Sequence, residues 1–547
     1  MNRVAFPVAL LALALPSAGL AQGPSLADVA EYEGWLEAYS RGQVRLLKRG
    51  RLDRRADRKL RELFQKIASG HDMVAARRLW QAAVIQLPKD IDKHDRLAAL
   101  PGKVRGQAKK LLASIDDDGV DPWLIKLATQ RGGKAGNRYR VTAIEVLGLR
   151  ERPATGQLLA KNLAKFQIPE RIQAILALER TGSFTTLPVL VKALGGREPN
   201  LRIAATQAIT GILAPFSDKT HAANTNGGGD AAKWVPIVVD EFQKVMLRDK
   251  VWQVRSAICD GLMRLKTPRV IPVLIAGLKR ELHLGKWSNR MVAIAFHDAL
   301  EQLTGKDLPQ DAPHLWSDFW AKEGPGFRFA TVNKGAKPQK SVDAKYAKYF
   351  NVDIKTKRLL FVIDFSGSMS EKVRLVGRYA GGNQRVKYEL VKKELEKVIR
   401  ALPRDAICNV IFFNDRVGVW RRDAEGRPEL VKMTDGNKAD LLQYVWETAP
   451  SGATNLHGAL KMALTLGERG VYDKHYNVSY DTVFVLSDGA PSAGEITDPI
   501  QILEEVRKGN RLRRLKIHTV VFGNARNNLK FMKGLAEENG GHFMQVR

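Results

Sequence analysis

Only two cysteines, Cys259 and Cys408, occur in 547 residues. They lie far apart inside apolar helical or strand patterns, so a disulfide framework is excluded by count and both read as buried thiols. Acidic residues are also scarce, with 58 Asp and Glu against 88 Lys and Arg. Past the first few turns no apolar run approaches the ~18 residues that a membrane helix needs. Gly-x-Ser-x-Gly, His-Glu-x-x-His and Gly-x-x-x-x-Gly-Lys-Ser/Thr are all missing, which argues against the commonest hydrolase and nucleotide chemistries and for a protein that is not an enzyme.

What is present is enough chain for two or three hydrophobic cores. With 44% hydrophobic and 27% charged residues, wholesale disorder is excluded. Met1–Ala21 has one positive charge at Arg3, an apolar run from Val4 to Leu15, and Gly19-Leu20-Ala21 as a small-x-small cleavage site. That is the layout of a secretory signal peptide, so the expected product is exported, periplasmic or secreted. The net charge of +30 is unevenly placed: Thr356–Arg547 holds 31 Lys and Arg against 23 Asp and Glu, and the preceding residues carry the other +22. A surplus of that size attracts polyanions such as an anionic envelope polymer. It is densest from Arg41 to Arg61, where Leu52, Leu60, Leu63, Phe64 and Ile67 fall near helical spacing and predict one amphipathic helix with a basic face.

Residues 22–136 read as a basic helical region. From 137 to 323 an internal repeat appears, in which an Arg is followed at +3 and +7 by apolar residues: Arg140, Arg171, Arg202 and Arg255, with a weaker copy at Arg290. Those positions share one helical face, and each such stripe needs a neighbour to cover it. A second helix follows each first one, with Pro188, Pro236 and Pro272 in matching contexts. Paired helices at a fixed period resemble HEAT-like repeats, a helical solenoid that presents an extended surface. Residues 324–355 read as a linker.

From 356 to 547 short apolar runs alternate with helical ones, the pattern of a mostly parallel sheet covered on both faces, a doubly wound Rossmann-like α/β fold. Ligands of such sheets sit at the carboxyl ends of the strands. The first run, Leu359–Ile363, leads straight into Asp364-Phe365-Ser366-Gly367-Ser368, which sets alternate oxygen-bearing side chains on one loop. Thr454 opens a helix further on, and Val483–Ser487 is an apolar run that ends in Asp488. Together Asp364, Ser366, Ser368, Thr454 and Asp488 resemble the metal-ion-dependent adhesion site of the von Willebrand factor type A domain. Five oxygen donors without sulfur or imidazole suit a hard cation, Mg²⁺ first, with Mn²⁺ or Ca²⁺ as alternatives. The resemblance implies that the hydroxyls touch the ion directly or through water, the two acids often through water, and that a partner's Asp or Glu carboxylate completes the shell. Arg374, Arg378 and Arg385, in the stretch between this loop and the next helix, are candidates for choosing that acidic partner, while His457, at a helix start, is expected to be a cap or surface residue. The order of regions is similar to secreted bacterial proteins that pair HEAT-like repeats with a type A domain. The alternative is the Ro autoantigen architecture, helical repeats followed by a type A domain, which binds small structured RNA; the export segment weighs against nucleic acid.

Overall fold

A computed structural model describes residues 23–546 apart from 49–50, 131–135, 217–227, 285–289, 328, 330–346, 374–384, 425, 430 and 465–479. The signal-like segment Met1–Ala21, most of the 324–355 connection, and Arg374 and Arg378 lie outside those residues. The amphipathic helix expected through Arg41–Arg61 begins only at Arg54. The preceding helix Leu26–Ser40 stops where Gly42 takes φ +77°, and a two-stranded ribbon, Leu47–Lys48 with Arg51–Leu52, intervenes. Asp53 then accepts hydrogen bonds from the Arg55 and Ala56 amides and starts helix Arg54–Ala68, which buries Leu60, Leu63, Phe64 and Ile67. Several cations of this stretch are met by acids: Arg41 by Glu37, Arg45 by Asp95, Lys59 by Glu31, Arg61 by Asp57.

The repeat positions fall on helices α1 (Gly136–Leu149), α2 (Ile168–Thr181), α3 (Pro199–Leu213), α4 (Trp252–Leu265) and α5 (Arg290–Thr304). Partner helices lie between and after them, and one continuous apolar cluster runs through the array. Ala143, Leu147, Ala174, Leu178, Ala205, Ile209, Ile258 and Leu262, the +3 and +7 residues, are fully buried. The repeated Arg has a structural task. Arg202 donates to the Gly196 and Arg197 carbonyls and pairs with Asp249; Arg255 donates to the Asp249 and Lys250 carbonyls and pairs with Glu281. Arg171 makes the same reach to the carbonyls of Leu163, Ala164 and Phe166, and Arg140 pairs with Glu170 at 2.7 Å. The guanidinium thus satisfies carbonyls of the loop ahead of its own helix in the Arg171, Arg202 and Arg255 copies, and a carboxylate from elsewhere in the array in the Arg140, Arg202 and Arg255 copies. Pro188 and Pro272 sit in the first turns of their helices, where no amide is missed, whereas Pro236 falls in the interior of Gly228–Arg248.

The last third folds as one twisted sheet between helices. Its strands are β1 (Arg358–Asp364), β2 (Ile407–Phe413), β3 (Val417–Val419), β4 (Val431–Lys432), β5 (Thr482–Ser487), β6 (Lys516–Phe522) and β7 (Phe543–Val546). They are ordered β4-β2-β1-β5-β6-β7, with β3 also on β2. All pairings from β2 to β7 along this order are parallel; β3 and β4 run antiparallel to β2. Alternate residues of β1 enter opposite cores, as a strand buried on both faces requires. Leu359, Phe361 and Ile363 pack with α6 (Lys387–Ala401) and α7 (Asp435–Glu447). Leu360 and Val362 pack with α8 (Leu456–Ala463), α9 (Pro499–Arg513) and α10 (Arg526–Glu538). Cys259 and Cys408 are both free and buried, and among the described residues no helix is long and apolar enough to cross a membrane.

Candidate functional site

Because β1 and β5 are adjacent and parallel, with Ile363 opposite Leu486, Asp364 and Asp488 emerge at the same carboxyl end of the sheet. The Asp364 carboxylate is fully buried; it accepts from the Ser366 amide at 2.9 Å and from the Ser487 hydroxyl at 2.6 Å. Burial pushes its pKa up to about 6, against those hydrogen bonds. Ser366 and Ser368 bring their hydroxyl oxygens to 3.2 Å, and Ser368 Oγ donates to Asp488 Oδ1 at 2.8 Å. Thr454 is buried, and its loop is tied to the loop after β5 in both directions. Its amide donates to Ser492 Oγ at 3.0 Å, and its carbonyl accepts from the Ser492 amide. A backbone bond from the Gly367 amide to the Gly452 carbonyl joins the first loop to the second, and Gly452 holds φ +67°. The structure therefore gathers all five expected side chains on three cross-linked loops.

Of the three arginines expected to select a partner, Arg385 alone is described. It is exposed in a two-residue ladder, Lys372–Val373 with Arg385–Val386, that forms a stem beside the site. His457 is neither a cap nor a surface residue: it is buried, and its Nε2 lies 3.0 Å from Glu505 of α9, whose carboxyl it holds below the usual range. Lys387 was not foreseen. Its ammonium donates to Asp488 Oδ2 at 2.8 Å, to Glu371 at 2.7 Å and to the Ser368 carbonyl at 3.3 Å. Burial works against that charge, but the Asp488 and Glu371 hydrogen bonds outweigh it and hold the amine above its ordinary value. Its sequence signal was its place as first residue of the helix after the site loop. Ser487, the second partner of Asp364, and Ser492 were also missed, although Ser487 directly precedes Asp488 and Ser492 follows it by four residues.

The donor set, two carboxylates and three hydroxyls, fits a hard divalent cation: Ser366, Ser368 and Asp488 are linked by direct contacts, and Asp364, Ser366 and Thr454 are buried. Elsewhere, His297, Asp298 and Glu301 bring ligand-type atoms within 4.8 Å of one another. The His297 Nε2, however, is committed to the Leu308 carbonyl at 2.6 Å, so the ring ties α5 to the following turn.

Comparison with known proteins gives a match to the von Willebrand factor type A domain family over residues 357–544. The inter-alpha-trypsin inhibitor heavy chain H2 of Homo sapiens is 29% identical over 150 residues, 27% of this chain and 13% of that one. Heavy chain H1 of Mesocricetus auratus is 29% identical over 206 residues, 37% and 20% of the two chains. The chain thus spans only 13–20% of the length of these relatives. A solved von Willebrand factor type A protein from Catenulispora acidiphila aligns over 36% of this chain and 40% of its own, with a TM-score of 0.26 and 15% identity, too low to add to the fold described above. The parallel sheet with helices on both faces, the three loops at its carboxyl end and the match over 357–544 lead to one conclusion: the last third of the chain is a von Willebrand factor type A domain.

Proposed function

We propose that this chain is an exported, non-enzymatic binding protein whose type A domain grips an acidic group of a protein partner through a divalent metal ion. The observation that carries this reading is the convergence of Asp364, Ser366, Ser368, Thr454 and Asp488 on one end of the sheet. A bound ion would supply positive charge and an open coordination position for a carboxylate. The protein's own part is to orient oxygen donors and to bury three of them, Asp364, Ser366 and Thr454. Ser487 and the Ser366 amide aim the Asp364 carboxylate, Ser368 aims Asp488, and the Ser492 bonds set Thr454. Because three of the five donors are neutral hydroxyls, an ion held here keeps much of its charge for the partner. Mg²⁺ is the expected ion, with Mn²⁺ or Ca²⁺ as alternatives. The type A matches, to inter-alpha-trypsin inhibitor heavy chains among others, support a binding role and not a catalytic one. Export rests on Met1–Ala21, and the HEAT-like reading of the helical array on its Arg-anchored helix pairs. The +22 surplus of the residues before 356 also supports contact with an anionic polymer, which would weaken steeply with salt.

The test is calorimetric titration of the purified chain with Mg²⁺ and Mn²⁺, repeated on Asp364→Ala and Ser366→Ala. Heat that both substitutions abolish while circular dichroism is unchanged supports the reading and justifies a metal-dependent partner capture. Absence of heat in the unaltered chain refutes it.

A further inference from the structure

The last turn of α9 is embedded in the helical array. Arg511 pairs with Glu179 of α2, and its Nε donates to Gln207 Oε1 of α3 at 2.9 Å, while the Gln207 amide returns a hydrogen bond to the Arg511 carbonyl at 2.9 Å. Arg514 reaches the next repeat, pairing with Asp260 of α4 and donating to the Ser256 hydroxyl at 3.2 Å. Between them Leu512 is fully buried and belongs to the apolar cluster of the helical array, not to either core of its own domain. Three consecutive first helices of the repeat thus each present a polar residue to one helix end. Gln207 and Asp260 stand at the same repeat position, five residues after Arg202 and Arg255. Gly211 leaves the room that Glu179 uses, since a Cβ there would come within 2.5 Å of Glu179 Cγ. Two cations at the carboxyl end of α9 also complement its dipole.

Topology places this contact away from the metal. Arg514 stands two residues ahead of the start of β6, and β6 is parallel to β5 and β1, so the contact is at the amino end of the sheet and Asp364 and Asp488 are at the other.

We propose that this face of the helical array is a built-in seat for the type A domain, so that the array is the mount that holds the domain by one end of its sheet and turns the metal end outward. The outward-facing role rests on the metal reading above; the seat does not. Its partner is therefore internal, and an outside partner is left to the metal end. The seat is ionic and incompletely packed, with a cleft of about 240 Å³ lined by Thr210, Arg264 and the paired arginines, so salt should weaken it.

The test uses the full chain in small-angle scattering and scanning calorimetry. A compact chain of 547 residues has a radius of gyration of about 24 Å. Arg511→Glu with Arg514→Glu should raise that radius by several ångströms and split the unfolding into two transitions, and Arg511→Glu combined with Glu179→Arg should recover most of the original values. In the unaltered chain, going from about 0.1 M to about 1 M NaCl, which shortens the screening length from about 10 Å to about 3 Å, should also raise the radius. A radius unmoved by the paired reversals and by salt overturns the seat. If the unaltered chain gives no Mg²⁺ heat, the metal reading fails while scattering still decides the seat.

Discussion

The helical array and the type A domain both bury charge, but they compensate it differently. In the array, Arg255 and Glu281 are 2% and 0% exposed and bonded to each other, and the guanidinium also closes the Asp249 and Lys250 carbonyls. In the type A domain, Asp364 is equally buried but among the described residues is met only by hydroxyl and amide donors, and burial raises its pKa. A carboxylate whose counter-charge is a side chain of the same polypeptide is a structural tie. One with no counter-charge among the described residues is a place where a cation gains by binding. The difference separates scaffold from site more clearly than burial alone does.

Removing the built-in cation should do the greatest damage. Arg255→Met leaves Glu281 charged with its main counter-ion gone and the Lys250 carbonyl without its donor, the Asp249 carbonyl keeping Arg280, and should cost about 3–5 kcal/mol in denaturant unfolding of the array. Asp364→Asn keeps the local hydrogen-bonding volume and removes the uncompensated charge, so without metal it should leave the type A transition unchanged or raise it. If the two substitutions cost the same, the contrast between tie and site collapses.

The second prediction sharpens the contrast with pH. His518 is buried in the type A domain, stacked between Phe484 and His542, and its Nδ1 accepts from the His542 amide at 2.9 Å. Burial first, then the positive charges of its neighbours His542, Lys516 and Lys355, lowers its pKa from 6.5 to about 3, and His542 is lowered in the same direction. A folded pKa below the unfolded one means that the unfolded chain takes up the proton first. Stability is therefore complete above about pH 6.5 and falls below it, by up to about 1.4 kcal/mol per pH unit for each group, or about 2 kcal/mol at pH 5 from His518. The type A transition should move down on acidification, and His518→Asn should flatten that dependence. An unchanged slope in the variant would show that other groups govern it.

Much of this was legible because it is carried by spacing. Asp364, Ser366, Ser368, Thr454 and Asp488 sit at ends of strand- and helix-like runs, and the order of a parallel sheet then brings them together. The repeat Arg was visible as a period, but its reach to the carbonyls of the preceding loop belongs to three-dimensional packing. The two-residue edge strand β4 is too short for any alternation to show. The helix expected through Arg41–Arg61 is too long at its start because Leu52 shares the helical spacing of Leu60, Leu63, Phe64 and Ile67 although it lies in the ribbon ahead of the Asp53 cap. Arg511 and Arg514 look like ordinary basic residues at a helix end; only the fold shows that three repeat helices meet them. Lys387 was hidden by distance along the chain, nineteen residues past Ser368, until the stem at 372–373 and 385–386 folded it back.

That lysine yields the smallest effect and the finest test of the comparison. It is the one described side-chain cation hydrogen-bonded to a member of the site, so it makes Asp488 resemble the paired acids of the array while Asp364 stays uncompensated. If a polypeptide cation and a divalent ion compete for the same carboxylate, Lys387→Met should tighten Mg²⁺ binding by about tenfold, roughly the 1.4 kcal/mol expected for one charge-assisted hydrogen bond. The same change should lower the melting temperature of the metal-free domain, because Asp488 loses its partner, and added Mg²⁺ should restore it. Looser binding in that variant would mean that Lys387 positions Asp488 for the ion instead of opposing it, and would move the residue from the competing side of the comparison to the supporting one.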